Sequence, residues 1–131
     1  MAQTRFRGPV LQGKFNEAGV TGYNLEEHNS DKTVETGELG ISFTSSTGDP
    51  TFTLFSHAAG YTFTFTNTGA DASNEVVIKS DAVNEISFAG GTHQYLTNTK
   101  ATSKVGDYVT LHSIGSAWVL VGIQGVWAGS D

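Results

Sequence analysis

Apolar and polar residues alternate with a period of two through several short stretches of the chain. The plainest case is Tyr61-Thr62-Phe63-Thr64-Phe65-Thr66, where aromatic rings fall on one side and threonines on the other. Successive side chains of a strand point to opposite faces, so this pattern predicts a half-buried strand. Ile41-Ser42-Phe43 and Phe52-Thr53-Leu54 repeat it on either side of a Ser/Thr/Gly/Asp/Pro-rich turn at 45–50. Further strands are expected at 76–79 (Val-Val-Ile-Lys), at 85–88 before a Gly90-Gly91 turn, and at 108–112 and 117–123. The last two flank Ser113-Ile114-Gly115-Ser116, which reads as a hairpin connection. The best helical candidate, Leu25-Glu26-Glu27-His28, offers one turn at most before Asn29-Ser30-Asp31. Short strands at close spacing with Gly-containing turns predict an all-β protein, a single antiparallel β-sandwich or small β-barrel domain.

That domain is expected to span residues 25–131, with an extended N-terminal arm at 1–24. The arm has no sustained period, only isolated apolar residues (Phe6, Val10, Leu11, Phe15, Val20) among Gly8-Pro9, Gly13, Gly19 and Gly22. It also holds Arg5, Arg7 and Lys14, three of the seven basic residues of a chain whose net charge is −6. Such asymmetry points to docking on an acidic surface; a solvated terminus is the plainer alternative.

Composition narrows the function classes. Charged residues make up 15% of the chain, below the roughly 25% of an ordinary domain, and Thr, Ser, Asn and Gly fill the difference. The acidic balance disfavours nucleic acid and anionic membranes as partners. With no cysteine there is no disulfide framework, thiolate nucleophile or cysteine-held zinc. No apolar run approaches the about 20 residues of a membrane span, and the first residues lack a secretory apolar core, so a soluble protein is expected.

The chain lacks a phosphate-cradling Gly-x-x-x-x-Gly-Lys-Ser/Thr loop, a Gly-x-Ser-x-Gly elbow and a His-Glu-x-x-His pair. His28, His57, His93 and His112 are scattered singly, so neither a metal nor another cofactor is expected. Glu26, Glu27, Asp31, Glu35 and Glu38 cluster, but without the alternating spacing and Gly of a calcium loop, and read as an acidic solvated segment. Tyr61, Phe63 and Phe65 could line a sugar groove, yet their alternation is what a half-buried strand requires. Trp118 reads as core. Trp127, in the Gly-rich tail Gly125-Val126-Trp127-Ala128-Gly129, reads as core or as a subunit contact, and is carried as the interface candidate.

The opening Thr4-Arg5-Phe6-Arg7-Gly8-Pro9-Val10, followed by Gly19-Val20-Thr21-Gly22, resembles the N-termini of head-decoration and head-fibre proteins of tailed bacteriophages, which often begin with an aromatic-x-Gly-Pro-Val phrase. The rest is similar to phage virion β-domains. A strand ending in Asn67-Thr68-Gly69 is followed by Val76-Val77-Ile78-Lys79, a Gly106-Asp107 step, and a final hairpin bearing Trp118. The resemblance covers roughly two thirds of the chain. It implies a non-enzymatic capsid decoration, or cement, subunit made in the host cytoplasm and bound to the outer surface of the virion, commonly as a homotrimer. Its partner would be the major capsid protein, and Arg5, Phe6, Arg7, Pro9, Val10, Leu11 and Phe15 would form the capsid-binding arm. Only Gly19-Val20-Thr21-Gly22 remains of the Gly-x-Val-x-Gly repeats of head fibres, which favours the compact cement form. The alternative reading is the receptor- or glycan-binding tip of a phage tail fibre; a small hydrolase on a β scaffold is the third.

Overall fold

A computed structural model describes residues 24–58 and 60–131 of the chain. The arm expected at 1–24, with Arg5, Phe6, Arg7, Pro9, Val10, Leu11 and Phe15, therefore lies outside the described residues but for its last, Asn24. The strands in chain order are β1 (Leu25–Glu27), β2 (Lys32–Thr33), β3 (Ser42–Ser45), β4 (Thr51–Thr53), β5 (Thr62–Asn67) and β6 (Val76–Lys79). They continue with β7 (Ile86–Phe88), β8 (Gly91–His93), β9 (Tyr95–Asn98), β10 (Tyr108–Ser113), β11 (Trp118–Gln124) and β12 (Ala128–Ser130). A single 3-10 turn at Lys100–Thr102 is the helical element among the described residues.

The strands form two sheets, one in the order β1-β3-β5-β10-β11-β7-β8 and one in the order β12-β9-β6-β4-β2. This is an all-β sandwich, as expected, but its sheets are mixed where antiparallel ones were expected. From β1 to β6 the chain changes sheet at every connection, so strands two apart in sequence become neighbours and run parallel: β1 with β3, β3 with β5, β2 with β4, β4 with β6. The turn at 45–50 carries the chain between layers and does not fold it into a hairpin. Alternation reports which face of a strand is buried, and says nothing of which strand lies beside it. Antiparallel pairing prevails in the second half, where β10 joins β5 and β11, β9 joins β6 and β12, and β7 joins β8, although β7 lies parallel to β11. Leu25–Glu27 is a strand instead of a helical turn, held in register with Ser42–Thr44.

Between the layers lies an aromatic core. Phe43, Phe52, Phe63, Phe65 and Trp118 are fully buried. Phe65 stacks on Phe43 with ring centroids 5.5 Å apart and meets Phe52 of the opposite sheet at 5.1 Å. Trp118 packs against Phe63 at 6.0 Å, and its indole N–H donates to the carbonyl of Phe55 at 3.1 Å, which satisfies its one polar group inside the core.

At one end the inward positions switch from apolar to polar without losing register. Phe43 is followed by Ser45, Phe65 by Asn67, Leu96 by Asn98, and Asn74 precedes Val76, all of them buried. Asn67 Nδ2 donates across the sandwich to Asn98 Oδ1 at 2.7 Å and to the Asn74 carbonyl at 2.9 Å. Asn74 Nδ2 donates to Ser45 Oγ at 3.1 Å, while Asn98 Nδ2 reaches Asp107 Oδ2 at 3.0 Å and the Val126 carbonyl at 3.1 Å. The network admits no extra atoms. A Cβ on Gly69 would stand 2.6 Å from Asn74 Cβ, and one on Gly125 would stand 2.2 Å from the Asp107 carboxyl carbon.

The loop at Asp49 is tied to this end, because its amide donates to Asn74 Oδ1 at 2.9 Å. Its carboxylate accepts the Glu75 N–H at 2.9 Å and pairs with Lys100 at 3.0 Å, and these two contacts hold its pKa below the ordinary 3.8.

Phe65→Ala and Asn67→Ala should each lower unfolding free energy by about 3 kcal/mol in urea denaturation, the first by opening a cavity and the second by stranding buried amide partners. Because the Asp49 pKa is depressed in the folded state, its contribution exists above the unfolded value and is lost as pH falls through the folded one. The stability gap between wild type and Asp49→Asn should therefore be largest near neutral pH and close on acidification below about 4; a pH-independent gap would contradict this.

Candidate interaction surface

Trp127 lies in the chain's own core with 7% of its surface exposed, and its Nε1 donates to the Gln124 carbonyl at 2.9 Å. It anchors the crossover from β11 to β12, while its neighbour Val126 faces outward with 59% exposed. The carboxylates clustered in sequence are spread over separate local tasks. Glu26 pairs with His28 at 3.0 Å, Glu27 accepts Ser46 Oγ at 2.6 Å, Asp31 accepts the Thr51 amide at 3.0 Å, and Glu38 pairs with Lys32 at 3.0 Å. The Ser46 and Asn29 hydrogen bonds lower the pKa of Glu27. His57 faces Glu85 at 3.4 Å and His93 faces Asp131 at 3.9 Å. Among the described residues no three His, Asp or Glu side chains are placed to share a metal ion.

The distinctive surface belongs to β11. Strands at the four sheet edges, β1, β8, β12 and β2, are two or three residues long and carry Glu, Lys, Gly or Ser, which discourages further strand pairing. By contrast β11 is seven residues long. It pairs with β10 along its length but with β7 only at Trp118 and Val119. From Leu120 to Gln124 it has no second strand neighbour among the described residues.

A bulge shapes this free stretch. Register shifts between Thr110 and Leu111, so that Thr110 faces Gly122 while Leu111 faces Leu120, and Val121 is the extra residue. Val121 and Ile123 are 51% and 43% exposed. Gln124 Nε2 donates to the Gly106 carbonyl at 3.2 Å, which ties the loop carrying exposed Val105 to the same end of the strand. Beside Leu120 an open groove of about 510 Å³ runs along the β7–β8 hairpin, lined by Phe88 and the Ala89-Gly90 turn. Both turn residues have positive φ, 53° and 81°, as a two-residue hairpin turn matching strand twist requires.

An unpaired strand edge with apolar side chains offers two kinds of contact, main-chain hydrogen bonds and buried apolar area. The sequence contained a sign of this edge: Val119-Leu120-Val121 breaks the alternation that a strand with one wet face would keep, and Ile123 extends the apolar character.

Val121→Ser and Ile123→Ser should leave thermal stability within about 0.5 kcal/mol of wild type, since neither side chain fills the core, whereas Trp118→Ala should cost about 3–5 kcal/mol. A large loss in either serine variant would mean that the strip is packed.

Compared with protein-family models, with curated proteins and with solved structures, the chain matches none of them.

Proposed function

We propose that this chain is a non-enzymatic structural protein of a tailed-bacteriophage particle, a decoration or cement subunit that binds the outer surface of the assembled capsid. The observation that carries the reading is the pair of exposed apolar residues Val121 and Ile123 along an unpaired strand edge of a tightly locked sandwich, with exposed Val126 just beyond the strand's end. Such a surface is suited to permanent contact with another protein. The resemblance of the Arg5-Phe6-Arg7-Gly8-Pro9-Val10 opening to decoration proteins supports the same reading, as does the concentration of both arginines there.

In this reading the function is thermodynamic. A subunit that binds the closed shell and not its dispersed components stabilises the shell by mass action. Phe6, Val10, Leu11 and Phe15 anchor on the major capsid protein, Arg5 and Arg7 pair with its carboxylates, and the β11 edge makes the contact between copies in a homotrimer. Ordering the arm costs roughly 1–2 kcal/mol per residue in backbone entropy, so several apolar anchors are needed.

Co-sedimentation of the purified protein with mature capsids lacking it tests the proposal. Saturable binding in multiples of three per symmetry position is expected. Deleting residues 1–15 should abolish binding while leaving the sandwich folded, and Val121→Asp with Ile123→Asp should reduce occupancy and dissociate the trimer. Binding of only a few copies per particle would transfer the assignment to a tail-fibre component.

A further inference from the structure

The outward face of the five-stranded sheet carries a row of side chains that core packing does not require. Register aligns Tyr95 of β9 with Lys79 of β6, Lys79 with Thr53 of β4, and Thr53 with Thr33 of β2. Their strand neighbours Leu96, Ile78, Phe52 and Val34 are buried, so these four point away from the core. Three interstrand steps of about 4.8 Å make the row about 14 Å long. With Asp31 and Thr51 it bounds an open cleft of about 340 Å³.

The charges in and around this cleft are unequal in what they leave available. Lys32 is engaged by Glu38 at 3.0 Å, and Asp31 accepts the Thr51 amide at 3.0 Å. Lys100 and Lys104, elsewhere on the molecule, pair with Asp49 and Asp71 at 3.0 and 3.6 Å. Lys79 differs from them: among the described residues it forms no ion pair, and its ammonium lies 5.7 Å from the centre of the Tyr95 ring. Among the described residues, then, one cation without an ion-pair partner stands beside an aromatic face and a line of hydroxyls.

Each component selects for part of a ligand. The Tyr95 ring accepts the C–H face of a sugar, Lys79 accepts a carboxylate or phosphate, and Thr53 and Thr33 exchange hydrogen bonds with hydroxyl groups at strand pitch. A single cation is too little for a nucleic-acid backbone, which is held by many. An apolar peptide would find polar side chains where it needs pockets. We propose that this row is a binding site for an acidic oligosaccharide, with one sugar ring on Tyr95, its acidic group on Lys79, and the next residues of the glycan over Thr53 and Thr33. The row lies on the sheet opposite β11, so the site stands or falls apart from the capsid role.

The test is an NMR titration of the full chain with three probes: a galacturonic acid trisaccharide, trehalose 6-phosphate and neutral maltotriose. An acidic probe should give saturable amide shifts confined to β2, β4, β6 and β9 in the millimolar range, and whichever acid binds tells carboxylate from phosphate recognition. Maltotriose should bind at least about tenfold more weakly. Lys79→Met and Tyr95→Ala should each weaken binding by at least about tenfold, while Lys104→Met leaves it unchanged. Absence of saturable shifts with both acidic probes on the wild-type chain, equal binding of maltotriose, or unchanged affinity in Lys79→Met would each overturn the proposal.

Discussion

Asn67 and Asn98 face each other across the sandwich, and their 2.7 Å hydrogen bond sits where the aromatic core stops. Each belongs to the inward series of its own strand, so a layer that would otherwise admit solvent is closed by amides. Every strand that contributes must arrive in the right register, since a slip by one residue would turn its amide out and bury a threonine or serine in its place. Buried amides tolerate few partial arrangements, because each stranded donor or acceptor costs about 1–3 kcal/mol. An apolar layer of similar volume would hold the sheets together with less discrimination between registers. The loops that carry Gly69, Asp107 and Gly125 follow from this constraint, being shaped to fit around the network.

With the ends and the interior fixed in this way, the two outer faces differ in kind. Along β11 the molecule exposes valine and isoleucine beside open backbone, a surface that gains by losing water. Across the five-stranded sheet it presents threonine, tyrosine and a lysine that forms no ion pair among the described residues, a surface of polar and aromatic groups. In the two readings proposed above, one sandwich separates permanent attachment from selective, reversible contact.

How much of this was legible in the sequence depended on burial. Strands buried on one face, such as Thr62–Asn67, Val76–Lys79 and Tyr108–Ser113, announce themselves by alternation. The four edge strands did not: Leu25–Glu27, Lys32–Thr33, Gly91–His93 and Ala128–Ser130 are short and partly wet on both faces, so no period forms. Tyr95–Asn98 was hidden for another reason, since one of its two inward residues is Asn98. Parallel pairing was illegible because it depends on which layer a turn leads to. At the candidate surface Trp118 was readable as core. Trp127 was readable only as core or subunit contact, because it is the crossover from β11 that turns its ring inward, and the exposed Val121 owes its orientation to a bulge marked in the sequence by Gly122 alone.

The alternation of layers in the first half has a consequence for synthesis. Strand β5 receives β3 on one side, but its other side waits for β10, whose partner residues lie more than forty positions later, as Thr64 and Thr110 do. Until the C-terminal hairpin emerges, the stripe of Phe63 and Phe65 borders an unfilled sheet position. Pairings of such sequence separation form slowly, and an open aromatic edge is available to other chains meanwhile. The polar threonines between those rings keep the nascent strand hydrated on one side, and the last 24 residues, from Tyr108 onward, decide whether the whole chain can close.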